Sequence, residues 1–292
     1  MILHSGRYNI HSGMIKERGE NMRKVTRITT QVKHKNRFNI FLNTAKGEEY
    51  GFSVDEAILI EYRLRKGLEL EDSMIATLIQ KDTLHKSYTQ AINFLSYRMR
   101  TKKEIIDYLV KKEVDGEHID QILKKLTDEL LIDDEQFAIS FVRTRINTSS
   151  KGPKLIKKEL MDKGVSQVIA ESAIENYPIE QQYEKIKKLM SKKINSSKKE
   201  SFKKQIQKLQ TTLLQKGFAT EAIKEAFADV YEEKDTDGEW DALVYQGDKL
   251  LRKHETKHEG YELRRKVTEG LYRKGFSFEL INKFLEDRTA EE

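Results

Sequence analysis

The sequence predicts a mainly α-helical protein made of tandem three-helix repeats that form an elongated, curved array, preceded by a small three-stranded antiparallel β-sheet with a helix. One phrase occurs twice, as KGFATEAIKEAF from Lys216 and as KGFSFELINKFL from Lys274. Between residues 25 and 54, apolar and polar residues alternate with the period of two that is typical of strands. With 37% hydrophobic and 35% charged residues among 292, the chain is too polar for one large core.

The first 21 residues show no apolar periodicity, and glycines and polar residues interrupt them. We expect a disordered tail over residues 1–21, because the segment has no apolar face to bury. The four residues before Met22, Arg-Gly-Glu-Asn, can be encoded by purine-rich codons that resemble a bacterial ribosome-binding site. We therefore predict that translation starts at Met22.

Residues 22–71 predict a β-meander followed by a helix. A Thr- and Val-rich segment at 25–32 forms the first strand, and a turn at Gly47 separates the other two. The alternating apolar residues are Phe38, Ile40 and Leu42 in one strand and Tyr50, Phe52 and Val54 in the next. Asp55 is expected to cap a short helix that ends at Gly67, and Asp72 to open the next helix. We expect the short helix to cover the sheet, since three strands alone are marginally stable.

Everything after Asp72 predicts helix, and the repeated phrase explains the organisation. It recurs as LMDKGVSQVIAESAI from Leu160 and, in a degenerate form, as LVKKEVDGEHIDQIL from Leu109. In the expected turn, a glycine ends one helix in the left-handed conformation and the next apolar residue packs back on its last turn. The predicted turn glycines are Gly164, Gly217 and Gly275, and Glu113 stands at the equivalent position of the first copy. We expect that first cap to be the least regular.

Each such hairpin follows another helix, so the unit is three helices at a spacing of 51 to 58 residues (Glu113 to Gly164, and Gly217 to Gly275). The predicted segments are repeats at 72–130, 131–177, 178–231 and 240–287, an acidic linker at 232–239 and a tail at 288–292. Arrays of this kind present long surfaces to large partners and seldom carry a catalytic cleft.

Composition and motifs argue against several classes of function. The chain has no cysteine, which excludes disulfides and thiol chemistry, and no apolar run approaches the roughly 18 residues of a membrane span. We expect a cytoplasmic monomer that is not an enzyme and holds no cofactor or metal, because no phosphate loop, dinucleotide fingerprint or metalloprotease motif occurs. His254 and His258, four residues apart, are read as helix-surface residues rather than metal ligands.

The adjacent pair Asp133 and Asp134 is read as helix capping, with Asp134 as N-cap, rather than as part of a metal-dependent nuclease centre. The net charge of +6 and pI near 9.0 permit contact with nucleic acid or with an acidic protein groove. Lys185–Lys208 is lysine-rich, whereas Asp229–Asp241 is mostly acidic. Solvated helix faces explain such charge equally well.

Three ordered stretches make a family resemblance specific: INFLSYRMRTKKEIIDYL, LIDDEQFAISFVRTR and SSKGPKLIKKELMDKGV. Together they resemble the RecX family of regulators of the RecA recombinase. The residues on the family pattern are Leu95, Ser96, Arg98, Arg100, Glu104, Leu109, Ile132, Asp133, Asp134, Phe137, Ala138, Gly152, Glu159, Leu160, Lys163 and Gly164. Pro153 departs from it, since the family more often has a polar residue there. The strands at the front and the fourth repeat resemble the longer form found in Firmicutes.

The resemblance implies a protein that binds in the groove of RecA–DNA filaments and damps ATP hydrolysis and strand exchange. Its partners would be the RecA filament and single- or double-stranded DNA. A stand-alone DNA-binding protein is the alternative, and a nuclease is disfavoured for want of a metal cluster.

Basic residues recur around the first interhelix turn of two successive repeats, and we predict that they contact the filament or DNA. They are Arg98, Arg100, Lys102 and Lys103 in the first repeat and Arg143, Arg145, Lys151, Lys154, Lys157 and Lys158 in the second. The alternative is that they are solvated helix ends. Tyr97, Phe141 and Trp240, of which the last is expected to start a helix, are assigned to the core rather than to base stacking.

Overall fold

The structure, a computed structural model, describes residues 22–194, 199–228 and 236–290. Within these ranges it contains thirteen α-helices and one four-stranded antiparallel sheet. The mainly α fold with three-helix repeats is therefore confirmed, whereas the predicted number of strands is wrong. The predictions for residues 1–21 and for 232–235 lie outside the described residues. None of the described helices is both long enough and apolar enough to cross a membrane.

The chain divides into two compact units. One comprises the described residues up to Arg98 together with Ile106–Asp128, and the other comprises Met99–Ile105 and the described residues from Glu129 onward. The boundary falls inside the first repeat, so that the start of one of its helices belongs to the second unit.

The sheet lies in the first unit and has the strand order β3-β2-β1-β4. Its strands are β1 (Met22–Thr30), β2 (Arg37–Thr44), β3 (Gly47–Asp55) and β4 (Glu69–Glu71). The fourth strand pairs antiparallel with the start of β1, where Met22 lies opposite Glu71. It escaped prediction because a strand of three residues with one buried apolar side chain, Leu70, is too short to show alternation.

A bulge in β3 changes which side chains of that strand are buried. Ile40 pairs with Phe52 and Phe41 pairs with Tyr50, so Gly51 is the additional residue. As a result Phe52 lies in the core while Tyr50 is 57% exposed, and the expectation that both face the core is wrong. A period-two pattern cannot continue through a bulge, because the additional residue reverses the alternation.

Two helices cover the apolar face of the sheet. The first, α1 (Glu56–Glu61), is capped as predicted by Asp55, whose carboxylate accepts a hydrogen bond of 3.1 Å from the Ala57 amide. It ends before Gly67 because Arg63 adopts a left-handed conformation with φ of +50°. The second, α2 (Asp72–Leu95), contributes the buried Leu78 to the same core.

The remaining helices follow the predicted three-helix units. The first repeat comprises α2, α3 (Lys102–Lys111) and α4 (Gly116–Asp128). The second comprises α5 (Asp134–Thr148), α6 (Pro153–Asp162) and α7 (Gln167–Glu175), and the third comprises α8 (Ile179–Ile194), α9 (Phe202–Gln215) and α10 (Thr220–Ala228). The fourth comprises α11 (Thr236–His254), α12 (Gly260–Arg273) and α13 (Phe278–Ala290).

The fourth repeat is longer than predicted at both ends. Residues 236–239 of the expected linker form the first turn of α11, where acidic residues are favourable beside the helix N-terminus. Residues 288–290 of the expected tail complete α13, and Arg288 pairs with Asp248 at 3.0 Å. Trp240 lies inside α11 rather than at its start.

The second, third and fourth repeats each enclose a separate apolar core. Phe137 and Leu160 are buried in the second, Leu213 and Phe218 in the third, and Phe284 in the fourth. The core assignments of Phe141 and Trp240 are confirmed, since both pack against these clusters. The assignment of Tyr97 is wrong, because it follows the end of α2 and is 84% exposed.

Candidate functional site

The turn between the second and third helices has one geometry in all four repeats. The amide of the apolar residue after the turn donates to the leucine carbonyl five positions earlier, as in the Schellman motif. The pairs are Val114 with Leu109 at 3.1 Å, Val165 with Leu160 at 3.1 Å, Phe218 with Leu213 at 3.2 Å and Phe276 with Leu271 at 3.3 Å. Gly164, Gly217 and Gly275 have φ between +85° and +94°, which confirms their predicted role as helix caps.

Glu113 adopts the same left-handed conformation, with φ of +59°, and its amide makes the equivalent bond to the Val110 carbonyl at 2.9 Å. The expectation of a less regular first cap is therefore wrong for the hydrogen bonds. The difference lies in burial, because Val114 is only half-buried whereas its three counterparts are buried.

In the second, third and fourth repeats, this turn is contacted by the N-cap residue of the middle helix of the preceding repeat. The Thr101 hydroxyl donates to the Lys163 carbonyl at 2.7 Å, and the Ser201 hydroxyl donates to the Lys274 carbonyl. At the central junction a backbone amide replaces the hydroxyl, since Gly152 donates to the Lys216 carbonyl at 2.7 Å. One contact rule therefore joins successive repeats through the Lys-Gly turns.

Gly152 has no side chain because the central junction has no room for one. A Cβ atom at this position would lie 2.5 Å from the Phe218 amide nitrogen and 2.6 Å from the Gly217 carbonyl carbon. Pro153 is the first residue of α6, where a missing amide hydrogen leaves nothing unsatisfied. The next amide, of Lys154, donates to the Gly217 carbonyl at 3.0 Å. The departure at Pro153 thus fits the geometry of this loop.

Glu104 and Lys163 belong to the first junction. The Glu104 amide donates to the Thr101 hydroxyl at 3.1 Å while its carboxylate accepts from the Thr101 amide at 3.2 Å, which is a capping box. The other carboxylate oxygen pairs with the Lys163 ammonium at 3.1 Å. The side chain of Lys103 covers Gly164, where a Cβ atom would come within 2.4 Å of the lysine Cβ.

Asp133 and Asp134 also have structural roles, but the aspartate that caps α5 is not the one predicted. Asp133, not Asp134, is the N-cap of α5, and its carboxylate accepts from the amides of Glu135 and Gln136 at 2.8 and 3.0 Å. Asp134 instead accepts from the Lys102 amide at 2.9 Å and so caps α3. The sequence pattern could not distinguish the two, because the aspartates are adjacent at the start of the same helix and the contact of Asp134 with α3 is not local.

Several predicted cations form pairs within the chain. The Glu159 carboxylate binds both Arg145, at 2.9 Å, and Lys151. Lys157 pairs with Glu171 at 2.7 Å, and this ammonium holds the pKa of the Glu171 carboxyl below its ordinary value. These three basic side chains therefore help to fix helices and loops of the second repeat. Lys103 is also engaged, through a 3.3 Å bond from its ammonium to the Asp162 carbonyl.

Four predicted cations are exposed, and their side chains form neither a hydrogen bond nor an ion pair within the described part of the chain. They are Lys102, Arg143, Lys154 and Lys158. Arg98 is exposed and Arg100 half-buried, and both interact with other residues. The structure thus separates the predicted set into cations that stabilise the repeats and cations available to a partner.

Sequence reasoning missed Lys185 of the third repeat and Tyr177 of the second, whose ammonium and ring centre lie 5.2 Å apart. The Lys185 ammonium donates to the Ser149 carbonyl at 2.9 Å, and burial lowers the pKa of Lys185. Tyr177, buried in the core of the second repeat, has its pKa raised to about 12 by burial. The missed Thr101 had a signal, since Thr-x-x-Glu before an apolar run is a capping-box signature. No comparable pattern marks Lys185 in a lysine-rich helix.

The described residues contain no group of three or more His, Asp or Glu side chains that could hold a metal ion. His254 and His258 have ring centroids 6.1 Å apart, and His258 contacts the Glu262 carboxylate at 3.4 Å. Burial, followed by neighbouring positive charges, lowers the pKa of His254.

Four family models match the chain in order along its length. They are the RecX N-terminal domain at 23–71, the first three-helix domain of RecX at 88–126, the second at 133–174 and the third at 180–227 and again at 237–285. The third domain model thus matches both the third and the fourth repeat.

Named relatives agree with this match. The chain is 57% identical to "Regulatory protein RecX" of Oceanobacillus iheyensis, over 93% of this chain and 100% of the relative, and 41% identical to that of Bacillus cytotoxicus, over 92% and 100%. A crystal structure of regulatory protein RecX superposes with a TM-score of 0.61 at 37% identity, over 69% of this chain and 97% of the other. RecX from Lactobacillus salivarius gives a TM-score of 0.51 at 38% identity, over 52% and 99%. The chain belongs to the RecX family.

Proposed function

We propose that this protein is a non-enzymatic regulator, chiefly an inhibitor, of the RecA recombinase, which binds in the groove of RecA–DNA filaments and damps ATP hydrolysis and strand exchange. The observation that carries the proposal is membership of the RecX family over nearly the whole chain. Its RecA partner comes from the family resemblance.

The repeats provide a physical basis for such binding. Three-helix units joined by one contact rule present the same elements at regular intervals, which suits a partner that is itself a polymer of identical subunits. Lys102 and Lys154 lie in the first turn of the middle helix of successive repeats, one residue after the junction residue Thr101 and two residues after the junction residue Gly152. Their exposed ammonium groups can meet acidic side chains of a filament or the phosphates of its DNA.

The proposal is tested with a variant that changes the four exposed cations to glutamine: Lys102, Arg143, Lys154 and Lys158. Such surface substitutions shift the free energy of unfolding by only about 0.5 kcal/mol each, so the helices should remain. Arg145, Lys151 and Lys157 are left unchanged because their ion pairs stabilise the second repeat. The matched control removes four exposed cations that lie away from the middle helices and their junctions, at Lys224 in α10 and at Lys249, Arg252 and Lys253 in α11.

The measurement is inhibition of the single-strand-dependent ATPase of RecA against protein concentration. We expect the four-cation variant to need at least about ten times the parent concentration for half inhibition, which is about 1.4 kcal/mol of lost binding, and the control to resemble the parent. Unchanged inhibition by the folded variant would place the binding surface elsewhere. Absence of inhibition and of co-sedimentation with RecA filaments for the parent would refute the proposed function.

A further inference from the structure

The junctions between repeats leave one unmatched half in the first repeat and another in the fourth. Each junction joins the N-cap of a middle helix to the turn of the following repeat, as the Thr101 hydroxyl joins the Lys163 carbonyl. The turn of the first repeat, at Lys112 and Glu113, has no repeat before it, and the N-cap of α12, Glu259, has no described repeat after it. We term these two halves the unmatched turn and the unmatched N-cap.

The unmatched turn is complete except for its partner. Its backbone has the geometry of the other turns, because the Val114 amide donates to the Leu109 carbonyl at 3.1 Å. Lys112 and Glu113 are exposed, and the Lys112 carbonyl accepts no hydrogen bond from the described residues. Val114 is half-buried because no N-cap from another repeat packs beside it.

The unmatched N-cap is exposed where its counterparts are buried. Glu259 precedes the turn glycine Gly275 by 16 residues (275 minus 259), as Ser201 precedes Gly217 (217 minus 201), so Glu259 and Ser201 are equivalent. Ser201 is 1% exposed and Thr101 is fully buried. Glu259, in contrast, is exposed and its side chain makes no capping bond. The start of α12 is therefore the uncovered half of a junction.

A side chain at the turn position is incompatible with the junction contact. At Gly164 a Cβ atom would lie 2.4 Å from the Cβ of Lys103, and at Gly275 it would lie 2.8 Å from the Ser201 hydroxyl oxygen. Atoms in a packed interior do not approach so closely without displacement of the backbone. Glu113 carries a Cβ atom at the equivalent position of the unmatched turn, so an N-cap cannot dock there in the same way.

The unmatched N-cap is incompatible with the contact for a second reason. In every junction a hydrogen-bond donor meets the lysine carbonyl of the turn, namely the hydroxyl of Thr101 or Ser201 or the amide of Gly152. An ionised carboxylate only accepts hydrogen bonds, so Glu259 would place an acceptor against an acceptor. Burial of both groups without a donor between them is unfavourable.

We propose that Glu113 and Glu259 prevent two copies of this chain from associating head to tail through the contact that joins its repeats. Such an association would be heterologous, since a turn of one copy would meet an N-cap of the other, and would extend into a ring or a fibre. Terminal repeats of an array commonly differ from internal ones in this way. The proposal concerns self-association only and does not depend on the proposed function.

The experiment restores both halves in the full chain. The variant Glu113→Gly with Glu259→Ser gives the unmatched turn its glycine and the unmatched N-cap its hydroxyl. Both changes suit the local backbone, because Glu113 has φ of +59° and serine is a preferred N-cap. The parent, the double variant and the two single variants are compared by sedimentation equilibrium from about 1 to 100 μM, which detects Kd values up to about 1 mM.

We expect the parent to remain a single chain at every concentration. The mass of the double variant should rise with concentration, with an association constant at least about tenfold that of either single variant. The matched control, Glu117→Gly with Glu255→Ser, removes the same charges from exposed positions that are not part of either half, and should behave as the parent.

A second measurement places the blocking side chains inside a junction that already exists. Gly164→Glu should lower Tm by at least about 3 °C more than Gly260→Glu, because both glycines are left-handed but only Gly164 has atoms of a neighbouring repeat within 4 Å. Ser201→Glu should likewise lower Tm more than Ser201→Ala, which removes the hydroxyl without adding a carboxylate.

Three results would overturn the proposal. The first is a double variant that stays a single chain at every concentration. The second is association of the parent, or of the control variant, as strong as that of the double variant. The third is an equal loss in Tm for Gly164→Glu and Gly260→Glu, since a glutamate would then not block a junction.

Discussion

Replacement of Gly217 by alanine should destabilise the second unit more than its backbone conformation alone requires. Gly217 has φ of +85°, and a left-handed conformation costs a non-glycine residue about 1 kcal/mol. A Cβ atom here would lie 2.5 Å from the Leu155 amide nitrogen and 2.8 Å from its Cβ, so the junction between the second and third repeats must shift. Overpacking of this kind costs about 1–3 kcal/mol more, and we expect about 3 kcal/mol in total.

The control is Gly260→Ala, in the same unit. Gly260 has φ of +53°, but no atom lies within 4 Å of the position its Cβ would take, so only the conformational cost of about 1 kcal/mol applies. Thermal unfolding followed by circular dichroism should show a loss in Tm of about 6–12 °C for Gly217→Ala and about 2–4 °C for Gly260→Ala. Equal losses in Tm would show that the junction shifts at no cost to make room for a Cβ atom. Close packing would then not require glycine in the Lys-Gly turn.

Two further predictions concern groups buried at or near the junctions. Thr101→Val preserves the shape of the side chain but removes both the capping bond from the Glu104 amide and the bond to the Lys163 carbonyl. The free energy of unfolding, measured in urea, should fall by about 1–3 kcal/mol. An unchanged free energy of unfolding would show that the hydroxyl makes no net contribution. Tyr177 has a pKa raised to about 12 from an ordinary value of 10.0, so the folded state holds its proton more tightly and the associated stability, complete below pH 10, is lost as the pH rises toward 12. Tyr177→Phe should lose less stability than the parent between pH 10 and 12, and identical alkaline unfolding curves would contradict this.

The repeat organisation was predictable because its signals are local. A glycine at a helix end and an apolar residue after it determine the same turn wherever they occur, so four copies of one phrase could be aligned by sequence alone. The errors fall where long-range pairing decides the outcome. The bulge at Gly51 reverses the burial of Tyr50, and β4 exists only because β1 is beside it. The register of these pairings is not visible in the local pattern.

The candidate site was predictable in position but not in composition. The basic residues do lie around equivalent turns, yet sequence spacing could not show that Glu159 binds Arg145 and Lys151. The sequence does not show which acidic residue a basic residue pairs with when the two lie on different helices. The cleft between residues 31–36 and α2 escaped prediction for the same reason, because its lysines Lys33, Lys35 and Lys86 come from a loop and a helix about fifty residues apart, and only the fold brings them together.

The residues that define the family pattern have a common physical role in this structure. Glu104, Lys163 and Gly164 form one repeat junction, Asp134 caps α3 beside it, and Gly152 fits against the turn of the third repeat. Such residues fix the spacing of the repeats, and that spacing determines where the exposed side chains that contact a partner are placed. The pattern residues therefore fix the framework of the repeats, whereas Lys102, Arg143, Lys154 and Lys158, all of which fall between the pattern residues, are exposed side chains that a partner can reach. If the proposed function is correct, substitutions in the frame should lower inhibition and thermal stability together, and substitutions of the exposed cations should lower inhibition alone.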